Sequence, residues 1–418
     1  MSSEKKLKMS SVFGHVQAVP NDAIFNLKTL YESDTHPQKV DLGIGAYRTE
    51  DGTPWVLPVV RTVEAQMSSD ETLNHEYLAI DGLRSFTDAA ARLLLGEDSV
   101  AITENRYCGV QTLSGTGALR LAFEFYLKHL GQRAVYISKP TWGNHRGVIG
   151  EVGFTDIREY CYWNAEQKAV DIDGLLRDLK DAPEGSIVLL QACAHNPTGM
   201  DPTKEQWRLI ADVVQERKLI PLFDSAYQGF ASGDVDNDAY SVREFVKRGV
   251  ELFTAQSFSK NFGLYNERTG SLCCVLSSTE MASVVRSQLK YLCRRLWSNP
   301  PNHGARIVAT VLNNPALRAD WLESLLIMSS RIKKARQELY QRLRTKGTPG
   351  TWEHIVTQIG MFSFSGLSVQ QCEVLTNKYH IYLLKNGRIS MCGLNSNNLD
   401  YVAAAIDDVV RQSNGSVD

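Results

Sequence analysis

Lys260 stands in a run of small hydroxyl side chains, Ser257-Phe258-Ser259-Lys260, with Arg268 a short way downstream. An amine in that company suits two kinds of chemistry. Two hydroxyls and a guanidinium can hold a phosphate, the guanidinium through paired N–H contacts. A primary amine shielded from water can attack a carbonyl carbon and form a Schiff base. A lone lysine in a serine-rich turn is usually a solvated charge. A second stretch weighs against that reading: Ser114-Gly115-Thr116-Gly117 opens a helical pattern with apolar Leu119, Ala122, Phe123, Tyr126, Leu127 and Leu130. Backbone N–H groups at a helix start bind phosphate, and glycine lets the backbone come close. Alone, such a loop is more often a plain strand-to-helix turn; the two stretches together make a phosphate cradle.

A third group of residues suits a flat, electron-poor ring. Asp224 follows the apolar run Leu219–Phe223. A carboxylate there is costly unless paired, and a ring N–H is a suitable partner. Tyr227 and Asn196 can both donate to a ring oxygen, and Trp142 offers a face for stacking. Taken singly, Asp224 also reads as a helix cap and Trp142 as core packing.

The elements that must position these residues are legible as an α/β pattern. Apolar runs at Gly109–Leu113, Ala134–Ile137, Ile187–Ala194, Leu219–Phe223 and Glu251–Gln256 read as strands, alternating with helical patterns. The reactive-looking residues fall just past the C-terminal ends of these runs, where open parallel sheets place ligands. Beyond about residue 328 the pattern changes. Helical stretches at Ser329–Arg344 and Asn397–Arg411 flank short strands near Gly360–Gly366 and Ile381–Cys392. That predicts a smaller α+β domain of residues 21–53 and 328–418, a large cofactor-binding domain of 54–327, and an N-terminal arm of 1–20. No P-loop, HExxH, G-x-S-x-G or Gly-x-Gly-x-x-Gly pattern occurs.

Bulk composition excludes other classes. The chain has 418 residues, 43% hydrophobic and 22% charged, with a formal net charge of -2. It is long enough for two domains, and carries no basic excess to suggest a nucleic-acid or membrane partner. Its eight cysteines form no C-x-x-C pair or zinc spacing, so free thiols in a reducing compartment, and no metal, are expected. The N-terminus lacks a secretory apolar run and has no arginine before Arg48. No apolar run nears the roughly 18 residues of a membrane span. These features point to a cytosolic protein.

From about Val12 to Arg411 the chain resembles the fold-type I, class-I aminotransferases, in particular the cytosolic branch that uses aspartate. The motifs are Val40-Asp41-Leu42-Gly43-Ile44-Gly45-Ala46-Tyr47-Arg48, Asn74-His75-Glu76-Tyr77, Ser114-Gly115-Thr116-Gly117 and Ala194-His195-Asn196-Pro197-Thr198-Gly199. Further along come Asp224-Ser225-Ala226-Tyr227-Gln228-Gly229, Ser257-Phe258-Ser259-Lys260-Asn261, Trp297-Ser298-Asn299-Pro300-Pro301 and Gly387-Arg388. The resemblance implies a mostly parallel seven-stranded sheet flanked by helices, and pyridoxal 5'-phosphate as cofactor. It implies that Lys260 forms the internal aldimine and moves the Cα proton, that Asp224 pairs with the pyridine nitrogen, and that Tyr227 and Asn196 bind the ring oxygen. Gly115, Thr116, Ser257, Ser259 and Arg268 would hold the phosphate, and Trp142 would stack on the ring. Arg388, Asn196 and the backbone at Gly45 would take the substrate α-carboxylate, with Trp142 beside it.

The resemblance also implies a homodimer. Arg294 would bind the second carboxylate from the neighbouring subunit, and Tyr77 would reach the phosphate across the interface. Arg295 adjoins Arg294 and, on a strand or loop, would point elsewhere; spacing to Trp297-Ser298-Asn299-Pro300 selects Arg294. The implied reaction is ping-pong transamination of L-aspartate with 2-oxoglutarate to oxaloacetate and L-glutamate. A broader dicarboxylic and aromatic preference, or a catalytically silent dimeric relative, are the alternatives. One departure stands out: the family usually has a histidine where this chain has Gln191, in the network behind the pyridine-binding aspartate. His145, matching another member of that network, is present. Thr269 replaces the usual valine, with no functional reading.

Overall fold

Seven apolar segments build the main sheet: β1 Tyr107–Leu113, β2 Val135–Lys139, β3 Ile157–Cys161, β4 Ile187–Gln191, β5 Ile220–Ser225, β6 Leu252–Ser257 and β7 Thr269–Val275. In space their order is β1-β7-β6-β5-β4-β2-β3. The computed structural model in which they are seen describes residues 11–414. All pairs are parallel except the two made by β7, which is antiparallel to β1 and to β6. Every position of β4, β6 and β7 is buried, as expected of strands covered on both faces.

Side chains alternate between two helical layers because successive residues of a strand point to opposite faces. Leu189 and Cys274 pack with Leu119, Ala122 and Phe123 of the helix Ser114–Leu130 and with Leu289 of the helix Thr279–Leu296. Leu190, Phe223 and Cys273 pack on the other face with Trp207 of the helix Lys204–Glu216 and Phe245 of the helix Tyr240–Lys247. The adjacent Cys273 and Cys274 are thus core residues of opposite layers. All eight cysteines are free, and seven are buried.

The strand boundaries differ from the sequence reading in instructive ways. The apolar run Ile187–Ala194 leaves the sheet at Gln191, and Asp224 lies within its strand, followed by Ser225. The edge strand β3 lacks a clean apolar run and is not apparent in the sequence pattern. The strand β7 lies outside the five apolar runs named above, and no local pattern marks its reversed direction.

A third core joins the N-terminal and C-terminal parts of the chain. Val40–Asp41 pairs in parallel with Ile381–Tyr382, and Phe362–Phe364 pairs antiparallel with Arg388–Ser390. The helix Leu399–Asn414 lies against the 31-residue helix Pro315–Thr345. That helix runs unbroken through residues 327 and 328, so the expected division between residues 54–327 and 328–418 lies within one helix. Residues 11–20 are exposed and form no helix or strand; residues 1–10 of the expected arm lie outside the described part. Among the described residues no helix is long and apolar enough to cross a membrane.

β7 approaches the cradle so closely that only glycine fits at its second position. A Cβ on Gly270 would lie 2.5 Å from the Ser114 carbonyl carbon and 2.7 Å from the Gln256 carbonyl oxygen, both backbone atoms that cannot swing away. Gly270→Ala is expected to cost about 1–3 kcal/mol, the usual range for overpacking, read as a lowered midpoint in thermal unfolding. An unchanged midpoint would mean the strand can shift without disturbing its neighbours.

Candidate active site

The reversed direction of β7 explains the cradle. Thr269 begins β7 opposite Leu113, the last residue of β1, and Gly270 pairs with Ser257 at the end of β6. The residue before β7, Arg268, therefore arrives at the same sheet edge as Ser114 and Ser257. Its carbonyl accepts the Ser114 N–H at 2.9 Å. Ser114 Oγ lies 3.0 Å from Ser257 Oγ and 2.9 Å from Ser259 Oγ, and Ser259 N–H donates to Ser257 Oγ at 3.3 Å. Gly115 backs directly onto this cluster, since a Cβ there would lie 3.2 Å from Ser257 Cβ. Gly115 and Thr116 are in the first turn of the helix Ser114–Leu130, and no side chain caps that helix. Its leading N–H groups are those an anion would satisfy.

Asp224 is central in the sheet, its register neighbours being Gln191 on β4 and Ala255 on β6. Its Oδ2 sits 3.0 Å from Nε2 of the fully buried His145, and His145 Nδ1 is 2.7 Å from Thr141 Oγ1. No described donor pairs with the other carboxylate oxygen. Trp142, between Thr141 and His145 in the chain, meets the histidine ring edge-on at 5.2 Å.

Lys260 Nζ lies 5.6 Å from the centre of the Tyr227 ring. Burial pushes the lysine amine down to about 8, with Asp224 opposing the shift and Arg268 and Arg388 adding to it. Burial likewise pushes the Tyr227 hydroxyl up, with the nearby Arg388 charge opposing the shift. The loop bearing Tyr227 is braced by Asp238, which accepts the Gly229 and Ser232 N–H groups. Asn261, next to Lys260, donates to the Gln228 carbonyl at 3.1 Å, and its own carbonyl accepts from Trp321 at 2.8 Å.

Arg388 opens a strand of the third core and is 2% exposed. Nη1 donates to Asn196 Oδ1 at 3.2 Å and Nη2 to the Gly43 carbonyl at 2.7 Å. The guanidinium lies 4.0 Å from the Phe362 ring centre. Its Nε has no partner, and no described carboxylate pairs with it. Burial lowers Arg388 to about 10, the mark of a cation held without its anion.

Asn196 is held by its neighbours. Asp201 accepts the Ala194 and His195 N–H groups at 2.6 and 2.9 Å. His195 itself is structural: its nitrogens meet Ser138 and Thr198 hydroxyls, and its ring stacks on Tyr162 at 3.7 Å.

Gly115, Thr116, Ser257, Ser259, Lys260 and Arg268 lie at one edge with Asp224, Tyr227, Asn196, Trp142 and Arg388. Gly45 packs against Phe362, and it is the Gly43 carbonyl that meets Arg388. Tyr77, 82% exposed, and Arg294, also exposed, make no contact with these groups within the chain. Arg294 and Arg295 are in the last turn of the helix Thr279–Leu296, correcting the strand or loop geometry assumed for them. Arg294 bonds Ser298 Oγ, while Arg295 stacks 3.3 Å from the Tyr291 ring centre. The sequence reading missed Thr141 and Phe362, ordinary residue types whose meaning comes only from what they touch, and named Ser114 only as part of its loop.

The residues present fit a phosphate-bearing pyridine aldehyde. A hydroxyl cluster lies at an uncapped helix start, a carboxylate oxygen lacks a donor, a deprotonatable amine lies between them, and an orphaned guanidinium nitrogen faces no anion.

Residues 37–406 match the family model described as aminotransferase class I and II. A Gallus gallus protein named aspartate aminotransferase, cytoplasmic, is 52% identical over 406 residues, 96% of this chain and 98% of its own. The solved aspartate aminotransferase from Saccharomyces cerevisiae cytoplasm superposes with a TM-score of 0.94 at 46% identity, covering 96% of this chain and 99% of that one. An aromatic-amino-acid aminotransferase from Burkholderia pseudomallei, solved covalently bound to pyridoxal phosphate, has a TM-score of 0.93 at 41% identity, with 96% and 100% covered.

Only the neutral amine reacts with a carbonyl. In cofactor-free protein, reductive labelling of Lys260 by a small aldehyde should therefore increase with pH through a midpoint near 8, well below the ~10.4 of an ordinary lysine. Peptide mass mapping across a pH series reads it; a midpoint above about 10 would show that the amine is not desolvated.

Proposed function

The chain belongs to the aminotransferase class I and II family, and on that premise we propose that it transfers the amino group of L-aspartate to 2-oxoglutarate, giving oxaloacetate and L-glutamate. Its cofactor is pyridoxal 5'-phosphate. The observation that carries the reading is Arg388, a buried guanidinium with an unpartnered nitrogen and no carboxylate of its own. A substrate α-carboxylate is the anion it lacks.

When bound, the cofactor supplies a carbonyl that condenses with amines and a protonated ring that draws electrons from the substrate Cα. Ser257, Ser259, Arg268 and the N–H groups of Gly115 and Thr116 would hold its phosphate. Asp224 would hold the ring nitrogen protonated, with His145 keeping the carboxylate in place. Tyr227 and Asn196 would donate to the ring oxygen, and Trp142 would cover one ring face. Lys260 Nζ, its proton affinity lowered by burial, would take the proton from the substrate Cα and deliver it to the cofactor's carbonyl-derived carbon, and the second half-reaction would run that transfer in reverse. Arg388 orients the α-carboxylate by a charge-assisted contact, helped by Asn196 and the chain at Gly43–Gly45.

Dicarboxylate selectivity needs a second cation, and the described cations of this chain near Arg388, Lys260 and Arg268, are those assigned above to the cofactor. We assign it to Arg294 of a second copy, with Tyr77 of that copy completing the phosphate site; the exposure of both in the single chain supports this. Residues 21–53 and 328–418 would form the part that closes on residues 54–327 and excludes water, with residues 1–20 as an arm. A cytoplasmic location is part of this proposal, supported by the likeness to the cytoplasmic Gallus gallus protein.

Two measurements test the function. The purified protein should be yellow, and a linked assay following oxaloacetate through NADH consumption should show aspartate turnover dependent on 2-oxoglutarate, with phenylalanine as the competing donor. A colourless, inactive protein would overturn the reading, and equal turnover of phenylalanine would move it to a broader specificity. Lys260→Ala and Arg294→Ala should each lose at least about a thousandfold and tenfold of kcat/KM for aspartate, the scales of a lost proton carrier and a lost ion pair.

Shared sites can be checked separately. In a twofold dimer formed by random pairing of these two variants, only one site in a mixed dimer holds both side chains, so the mixture should recover about a quarter of wild-type activity. Recovery no greater than the average of the two parents would place Arg294 in its own subunit's site.

A further inference from the structure

Gln191 ends β4 beside Asp224 and is 7% exposed, yet the chemistry above gives it no task. Its side chain has a definite one. Oε1 accepts the Asn196 N–H at 2.8 Å, and Nε2 donates to the Asn196 carbonyl at 3.0 Å. One amide thus clamps both backbone groups of the residue whose Oδ1 meets Arg388. The clamp also settles which end of the amide is nitrogen, because only an oxygen can face the Asn196 N–H.

The second hydrogen of Nε2 points to Thr141 Oγ1 at 3.5 Å. Thr141 has one hydroxyl hydrogen, and its oxygen lies 2.7 Å from His145 Nδ1. Asp224 Oδ2 can only accept, so a neutral ring puts its hydrogen on Nε2 and leaves Nδ1 an acceptor; with Gln191 donating to its oxygen, the Thr141 hydroxyl gives its own hydrogen to Nδ1. His145 then carries its proton on Nε2, facing Asp224 Oδ2 at 3.0 Å. The bonds run in one direction, from amide to hydroxyl to imidazole to carboxylate.

We propose that Gln191 is a positioning residue with two outputs: it holds Asn196 against Arg388, and it orders the hydrogen bonds so that His145 presents Nε2–H to Asp224. The proposal rests on the reading of Asp224, Asn196 and Arg388 given under Proposed function. Glutamine suits the task because an amide donates and accepts at once and does not ionise.

The first output is read from His145 by long-range proton–nitrogen spectra of protein labelled with nitrogen-15 histidine, with and without pyridoxal phosphate. Wild type should show the neutral Nε2–H pattern. Gln191→Glu keeps the shape but only accepts, so the Thr141 hydroxyl turns toward it and His145 becomes protonated on both nitrogens. The second output is read from the affinity for maleate, a dicarboxylate that is not turned over. Gln191→Leu should weaken it about tenfold by releasing Asn196. Thr141→Val separates the two, altering the His145 pattern while changing maleate affinity less than about twofold.

A His145 pattern unmoved by Gln191→Glu overturns the first output, and maleate affinity unmoved in folded Gln191→Leu overturns the second. If Gln191→Leu does not fold, the maleate measurement passes to Gln191→Glu, which also loses the bond to the Asn196 carbonyl. A wild type that takes up no cofactor would sink the aminotransferase reading, while the histidine spectra would still judge this one. A yellow, active wild type with unmoved variants would sink this proposal alone.

Discussion

Three ionisable groups, Lys260, Asp224 and Arg388, meet where the C-terminal ends of the main sheet's strands face the third core, largely shielded from water and with fewer partners than charge requires. Burying a charge is costly unless it is paired or hydrogen-bonded, and the rest of the site is arranged around that cost. Asp224 has one oxygen bonded to His145 and one free. Arg388 spends its two terminal nitrogens on neutral acceptors, and Phe362 lies under its plane. Lys260 has lost enough hydration to release its proton near 8. Each group is left short of a partner that an anionic, ring-bearing ligand and a carboxylate substrate would provide.

Such a site needs rigid support, and the sheet provides it. Parallel strands deliver Thr141, Asn196, Asp224 and Ser257 to one edge. The antiparallel β7 delivers Arg268 from the opposite direction, so the phosphate cradle gains a cation without a further crossover. Gly270 is what allows the close approach, since any side chain there would strike the Ser114 backbone. Behind the edge, Gln191, Thr141 and His145 join the carboxylate end of the site to the arginine end through hydrogen bonds. Movement at either end is resisted by the same few residues.

The single chain is nonetheless incomplete as a dicarboxylate enzyme. Arg388 alone selects for an α-carboxylate and says nothing about the far end of the substrate. Arg294 and Tyr77 are exposed on the same chain, neither engaged with the site. In the proposed assembly a twofold partner would supply both residues, each being used once by the neighbour. Substrate choice and assembly would then be one property.

What the sequence by itself determined is chemical and local. Residue types just past strand ends marked Lys260, Asp224 and the Ser114–Gly117 and Ser257–Ser259 stretches as candidates, because a buried strand reads as an apolar run and its end as an abrupt polar residue, while Arg388 came from the resemblance alone. The sheet's interior strands were legible for the same reason, whereas β3 was not, being an edge strand with exposed positions. Only the tertiary structure decided the direction of β7, the helical setting of Arg294 and Arg295, and the Gly43 carbonyl as an acceptor for Arg388. It alone gave Gln191, Thr141 and Phe362 their work. Strand direction and hydrogen-bond partnership depend on contacts between residues far apart in the chain, which no local pattern of polarity encodes.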